Sequence, residues 1–416
     1  MGYSILKEFK LSEICTLITD GTHATHKVEK KGKYLATIKD MRDNGIDFSN
    51  CKIISESDYD CLLKSNSVPK IQDLLFAKDG SILKHVIVNN QTEYAITSHI
   101  AMLRTNIKIV TPSFLKYYLL NPQIKEDIIL NYSTGSVIPS VILNDLKNFK
   151  VLIPPLKNQK FVTDILSSID DKIKLNNKIN KNLEEIAQTL YKRWFVDFEF
   201  PNENGEPYKS SGGEMVDSEL GLIPKGWEVK DVNSLFYFKG GSQPPKEEHI
   251  YEPREGYVRF IQNRDYGNGS SHLTYIKVSH KNKLADKYDI MMDKYGEVGK
   301  IRYGLEGAYN VALAKIESCD KLDQEILRGY FSQETIVRYL SNSSIASTRG
   351  SLNATTFTGL KVAYPEKPLK LIFHTLSRNI IEMILEKKSE NSKLGKIRDE
   401  LLPKLMSGEI EVPVEE

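Results

Sequence analysis

Apolar positions along this 416-residue chain follow one pattern twice. Short apolar runs parted by glycine and polar turns predict strands, and each series of strands gives way to a long heptad rhythm that predicts a helix. The clearest pair of blocks is Asp73–Lys84 and Asp289–Lys300, which align without gaps at an offset of 216. Each reads as strand, glycine turn, strand. Pro112–Leu120 and Asp323–Phe331 share an amphipathic spacing, with Phe114, Leu115, Tyr118 and Leu119 matched by Ile326, Leu327, Tyr330 and Phe331. Next come the polar glycine loops Ser133–Ser136 and Ser347–Ser351. Each leads to a strand ended by proline, Val151-Leu152-Ile153-Pro154-Pro155 and Val362-Ala363-Tyr364-Pro365. The entry segments Glu8–Ile14 and Trp227–Val232 complete the parallel. So long a repeat marks duplicated domains and not a solenoid.

The helical stretches carry a narrow apolar seam. With Ile169 at position a, the first has Ile169, Asn176, Leu183 and Leu190 at a, and Ile165, Lys172, Ile179 and Ile186 at d. The same register, 211 residues on, gives Ile380, Lys387, Leu394 and Leu401 at a, and Leu376, Met383, Glu390 and Ile397 at d. Two such seams, one per half, predict an antiparallel coiled coil, with Asn176 and Lys387 as polar groups that fix register. Ile410 is then expected near Ile14.

Composition narrows the class. No apolar run reaches the roughly 18 residues needed to span a bilayer. Met1–Glu8 has neither the basic segment nor the apolar stretch of a secretory signal, so a cytoplasmic protein is expected. Cys15, Cys51, Cys61 and Cys319 are dispersed without a Cys-x-x-Cys pair, which reads as reduced thiols. Net charge is only +2, but residues 196–220 hold seven acids and one Lys, leaving the remainder at +8. That acidic stretch, rich in Asn, Gly, Ser and Pro, is expected to be a flexible linker.

A catalytic constellation is hard to find. Gly296-Glu297-Val298-Gly299-Lys300 has two residues between its glycines where a phosphate loop has four, and its copy at Gly80 lacks the second glycine. His23 and His26 have no third ligand nearby and no counterpart in the second half. No metal site is expected. Polar loops that recur in both halves point instead to nucleic acid. Lys39, Asp40 and Arg42 are matched with Gln262, Asn263 and Arg264, Lys78, Ser81 and Lys84 with Lys294, Tyr295 and Lys300, and Ser133 and Ser136 with Arg349, Ser351 and Asn353. Arg, Gln and Asn suit base edges, while Lys, Ser and backbone N–H groups suit phosphates.

This order of phrases resembles the DNA-specificity subunit of type I restriction-modification enzymes over essentially the whole chain. The residues that carry the likeness are Leu222-Ile223-Pro224-Lys225-Gly226-Trp227, the Asp-apolar-apolar blocks ending in Lys84 and Lys300, and Gly135-Ser136 leading to Ile153-Pro154-Pro155-Leu156-x-x-Gln159. The helix ends Leu190–Phe198 and Leu401–Ile410 belong with them. The second copy departs from the pattern, with Tyr364-Pro365-Glu366-Lys367-Pro368 in place of a double proline and no Gln matching Gln159.

The resemblance implies an α+β fold in which two similar α/β target-recognition domains are joined by two long helices as an antiparallel coiled coil with pseudo-twofold symmetry. The expected boundaries are 1–155 for the first domain, 156–198 for the first helix and 199–220 for the linker. The second domain would span 221–368, and the second helix with its tail 369–416. The resemblance also implies double-stranded DNA, two methyltransferase subunits and restriction subunits as partners. No cofactor is expected on this chain, with S-adenosylmethionine, ATP and Mg on the partner subunits. The competing reading, a self-contained nuclease or DNA methyltransferase with duplicated recognition modules, needs a catalytic domain of order 150 residues. The duplication leaves no room for one.

Overall fold

The computed structural model describes residues 6–42, 45–80, 84–134, 140–267, 273–345 and 351–410. Ser81, Ser136 and Arg349 lie outside them. The chain divides into two units, Met1–Lys174 with Asn391–Glu416, and Leu175–Glu390.

The first unit is organised by an antiparallel sheet with strands in the order Cys15–Asp20, Ile100–Thr105, Leu74–Ala77, His85–Ile87. Side chains alternate between faces of a strand. Leu74, Phe76, Ala101 and Leu103 therefore enter one core, and Leu75, Ala77, Ile100 and Met102 another. Burial on both faces explains why Leu74-Leu75-Phe76-Ala77 is apolar without alternation. A second sheet sets Lys33–Ala36 parallel to Tyr94–Ile96 and antiparallel to Lys52–Ile54.

The second unit repeats this plan. Its strands run in the order Phe236–Gly240, Leu313–Ser318, Ile290–Asp293, Ile301–Arg302. Tyr257–Ile261 lies parallel to Gly307–Tyr309. In each unit the entry strand pairs with the exit strand, Lys7–Lys10 with Lys150–Ile153 and Glu228–Asp231 with Lys361–Tyr364. Each domain is thus closed by its own ends. The amphipathic helices form at Pro112–Leu120, which Thr111 caps by accepting from the Phe114 N–H at 3.2 Å, and at Gln324–Ser332.

The first long helix is Leu156–Tyr191, followed by a widened turn over Lys192–Val196, and the second is Lys367–Ser407. In the first unit Asp170 meets Arg398 at 3.0 Å, while Val162 and Leu166 share a core with Leu402, Leu405 and Met406. Ile410 packs against the same core, which contains Ile14. In the second unit Asn176 donates to Glu390 at 3.1 Å, Leu183 packs with Ile381 and Ile384, and Phe195 meets Phe373 edge-on at 4.6 Å. Numbers rise on one helix as they fall on the other, so the helices run antiparallel within each unit.

The expected seam needs correction by one residue. Asn176 and Leu183 are buried as expected, and Ile165, Ile169, Ile179 and Leu190 are half-buried. Ile186, however, is 53% exposed, as are Leu376, Met383 and Ile397 at 44–48%. The second helix buries Phe373, Ser377, Ile381, Ile384, Leu402 and Leu405, leaving Ile380, Lys387, Leu394 and Leu401 half-buried at the flank. Polar residues cause the discrepancy. Asn180 and Ser377 occupy buried seam positions in the second unit, Arg398 is half-buried against Asp170 in the first, and a reading by hydrophobicity passes over all three.

The expected flexible linker is also corrected, because the segment is folded. Phe200 stacks on Tyr208 at 4.6 Å and on Trp227 at 5.1 Å. The Asn202 carboxamide oxygen accepts from the N–H groups of Asn204 and Glu206, and Met215–Ser218 forms a hairpin with Gly221–Pro224. Aromatic burial here outweighs the turn-rich composition.

Each helix is pinned to its domain by a buried polar group at one matching position. Gln159, fully buried, donates to the carbonyls of Ile109 at 2.8 Å and Pro154 at 2.9 Å, and accepts from the Thr111 N–H at 2.9 Å. Lys370, 211 residues on, replaces it. Its ammonium donates to Asp320 at 3.0 Å, to Asp323 at 2.9 Å and to the Tyr364 hydroxyl. Burial alone would lower the Lys370 pKa, but these hydrogen bonds outweigh it and hold the pKa above the usual lysine range. The stabilisation is therefore fully present below the ordinary lysine pKa of about 10.4, and fades only as pH rises through the higher folded value.

Gln159→Ala should cost about 2–4 kcal/mol, since it strands several backbone groups at once. Lys370→Met should cost about 3–5 kcal/mol by leaving the buried Asp323 carboxylate without its cation. Denaturant unfolding at neutral pH checks both. The double variant Lys370→Met with Asp323→Leu should regain most of the second loss.

Candidate nucleic-acid interface

The loops with the recurring polar residues spring from one tight crossing in each domain. After the strand Cys15–Asp20 the chain passes so close to its neighbour that a Cβ on Gly21 would stand 1.9 Å from the Ile96 carbonyl oxygen. The Thr22 N–H donates to that oxygen at 2.9 Å. Gly241 does the same in the second domain, where a Cβ would stand 2.1 Å from the Asn310 oxygen and the Ser242 N–H donates to Tyr309 at 3.1 Å. Sequence reading missed this pair. The available signal was a glycine followed by a hydroxyl residue after the first long strand of each copy.

Beside the first crossing, Lys78 reaches Asp20 at 3.3 Å, and Asp20 also meets His23 at 3.3 Å. Asp79 accepts from His99 at 2.6 Å and from the Ser140 hydroxyl. His26 bonds Thr22 at 3.0 Å and lies 3.5 Å from Asp58. These acids and histidines were not expected as part of the loop cluster, because no second copy of them exists. In the second domain Gly240 takes the place of Asp20, and Lys294 Nζ lies 3.7 Å from where a Gly240 Cβ would stand. Lys294 thus occupies the place of Lys78 with no paired carboxylate among the described residues, and Tyr295 is half exposed next to it.

The next loop shows that the expected matching was two residues out. Asp40 caps its turn by accepting from the Thr37 N–H and hydroxyl, both at 2.8 Å. Asp265 holds the Gln262 N–H in the same way at 3.0 Å. The Thr97 N–H donates to Ala36 and the Asn310 N–H to Ile261 in corresponding contacts. Thr37 therefore corresponds to Gln262, Asp40 to Asp265 and Lys39 to Arg264. Asp40 is a cap and is buried, whereas Lys39 and Arg264 are matched, exposed cations. Arg42 folds back onto the Lys39 carbonyl at 2.5 Å and onto Asp47 at 3.2 Å.

Several other expected residues serve local structure. Asn263 donates to Asp293 at 3.1 Å and to the Tyr295 carbonyl at 3.2 Å. Burial raises the pKa of that Asp293 carboxyl, although Arg302 at 2.9 Å opposes the shift. Lys300 pairs with Glu297 at 2.7 Å, and the Lys84 carbonyl accepts from Ala77 at 2.9 Å. Ser133 donates to the Ile129 carbonyl at the end of its helix, and Asn353 caps a turn by accepting from the Thr355 N–H at 3.0 Å. Ser351, two residues before, is half-buried. Among the described residues no group of three or more His, Cys, Asp or Glu could hold a metal ion, and no helix is long and apolar enough to cross a membrane. Burial pushes the Cys15 and Cys51 thiols up to about 12, which keeps both protonated and unreactive.

A mixed sheet-and-helix domain used twice, each copy closed on itself and carried on a long helix, is the architecture of a duplicated recognition module. The chain belongs to the type I restriction modification DNA specificity domain family, whose profile matches residues 4–185 and 224–394. It is 29% identical to the type I restriction enzyme MjaIX specificity subunit of Methanocaldococcus jannaschii, over 71% of this chain and 68% of the relative. It is 25% identical to the HindI specificity subunit of Haemophilus influenzae, over 87% of this chain and 91% of the relative. The crystal structure of the type I restriction-modification S subunit from M. genitalium shares the fold, with a TM-score of 0.55 at 14% identity and 96% of each chain covered. This is a DNA sequence-recognition protein of a type I restriction-modification system.

Gly21→Ala and Gly241→Ala each force a methyl group into a backbone carbonyl. Each should destabilise its own domain by about 3 kcal/mol or more. Thermal unfolding of the two variants measures this, and limited proteolysis should show which domain loosens.

Proposed function

We propose that this chain is the non-catalytic specificity subunit of a restriction-modification complex, with each domain reading one half of a split, asymmetric DNA target. The observation that carries this reading is the repeated domain, closed by its own entry and exit strands and pinned to one of two antiparallel helices. The helices act as a coiled coil that sets the distance between the half-sites and gives the chain a pseudo-twofold plan. Lys39 and Arg264, matched and exposed, are the foremost DNA-contacting residues, and Lys78, Lys294 and Tyr295 flank them. Two methyltransferase subunits dock on the outer face of the coil. Leu376, Met383 and Ile397, seven and fourteen residues apart on the second helix, are exposed apolar side chains available to such partners. S-adenosylmethionine, ATP and Mg act on the methyltransferase and restriction subunits.

Three experiments test this. Exchange of residues 1–155 for the corresponding domain of another family member should change one half of the recognised sequence and leave the other, as read by mapping methylated adenines. Change in both halves counts against modular reading. Within the assembled methyltransferase complex, Arg264→Ala should weaken specific DNA binding by about 1–3 kcal/mol while leaving the melting temperature unchanged. Asp265→Ala should instead lower stability by about 1 kcal/mol through loss of the cap.

The ruler is tested by deleting one heptad from each helix, Asn176–Asn182 and Lys387–Lys393, which preserves both seams and shortens the coil by about 10 Å. The expected outcome is a spacer about three base pairs shorter, or loss of binding, because three base pairs also turn one groove by about 100°. A folded double deletion that keeps the original spacer refutes the ruler.

A further inference from the structure

A cavity of about 450 Å³ lies within the second unit, where the second domain meets the helices. Ala187, Ile301 and Val337 give it an apolar wall, backed by the buried Phe331, Phe373, Ile381 and Ile384, and Arg328, Ser377, Lys388 and Tyr266 a polar one. Arg328 is buried. Its Nε donates to Glu325 at 2.7 Å and Nη2 to the Tyr288 carbonyl at 2.7 Å, but Nη1 has no partner. The Ser377 hydroxyl, on a side chain only 5% exposed, and the Tyr266 hydroxyl are also without partners. A guanidinium carries donors only, so Nη1 calls for an acceptor.

The electrostatics agree. The lining holds Lys300, Arg302, Arg328 and Lys388 against Glu184 and Glu325. Lys300 and Arg302 are already engaged by Glu297, and Arg302 also by Asp293. Glu184 lies 3.7 Å from Lys388 and accepts from the Tyr303 hydroxyl at 3.2 Å. Arg328 and Lys388 both stand over the Tyr303 ring, at 4.8 and 4.7 Å, and an anion beside Arg328 Nη1 satisfies the one donor that Glu325 and the Tyr288 carbonyl leave open. The volume falls within the range of small-molecule sites, and at about 30 Å³ per water it far exceeds the room for a single bridging water.

We infer that this cavity binds a small organic anion, a carboxylate or phosphate monoester on a flat apolar body. The anionic oxygens accept from Arg328 Nη1 and Ser377, and the body lies against Ala187, Ile301 and Val337. Tyr266 ends the turn Asn263–Tyr266 that presents Arg264, so the cavity reaches the element carrying the second domain's exposed cation.

The test is calorimetric titration of the full-length chain with benzoate and with phenyl phosphate, using neutral benzamide for comparison. It does not depend on whether the chain reads DNA. Saturable binding of at least one anion at millimolar concentration is expected, with benzamide at least about tenfold weaker, because charge-assisted hydrogen bonds are the stronger ones. Ser377→Leu, which fills the cavity, should abolish binding. Lys388→Met, on a side chain that is 45% exposed, should weaken it about tenfold. The inference is overturned if neither anion binds, if benzamide binds equally, or if Lys388→Met leaves the affinity unchanged. A crystal structure grown with benzoate that shows only ordered water in the cavity would overturn it as well.

Discussion

The position shared by Gln159 and Lys370 governs how recognition domain and helix are joined. A long helix leaving a small domain is a lever, and small errors at its root become large displacements at its tip. The first copy fixes the root with a neutral carboxamide that satisfies two carbonyls and one N–H at once. The second fixes it with an ammonium held by two carboxylates and a phenol. Both solutions bury polar groups and satisfy them, which a packed apolar joint would not need. What the polar joint adds is direction, since hydrogen bonds constrain angle where apolar contacts constrain only distance.

The entry and exit strands belong to the same design. Because Lys7–Lys10 pairs with Lys150–Ile153, and Glu228–Asp231 with Lys361–Tyr364, each domain hands its chain to the helix from a strand already fixed on both sides. In the second copy the handover is stiffened further by Tyr191, Trp194 and Phe195 packed around Phe373. The helix seam itself tolerates polar residues because these ends position it. Asn176, at the centre, is met by Glu390 and is not left to hydrophobic pairing.

Much of this was legible in the sequence, for a physical reason. A sheet buried on both faces writes uninterrupted apolar runs, and two such runs in the same order betray a duplication even when few residues are identical. The helices were equally plain. Their register was not, because Ser377 and Asn180 sit inside and Ile186, Met383 and Ile397 outside, so hydrophobicity pointed one residue away from the true seam. The segment after the first helix misled through its glycines and acids, which mask three aromatic rings that fold it. In the loops, Lys39-Asp40-x-Arg42 and Gln262-Asn263-Arg264 were matched by residue type. The carboxylates that cap the two turns establish the correct alignment, and a cap is visible only through its hydrogen bonds.

With the turns aligned by their caps, the two loop clusters differ chemically in a specific way. Lys78 in the first domain is offset by Asp20, which also holds His23, while Lys294 in the second faces a glycine. The first cation is a fixed, partly neutralised group inside a network of acids and histidines. The second stands beside a glycine, 6.0 Å from the ring of the exposed Tyr295. Lys39 and Arg264 differ likewise, a point charge against a planar fork suited to the two acceptors of guanine. Duplication supplies the same frame twice, and on the proposed function these few loop positions are where its two halves diverge in the DNA they read.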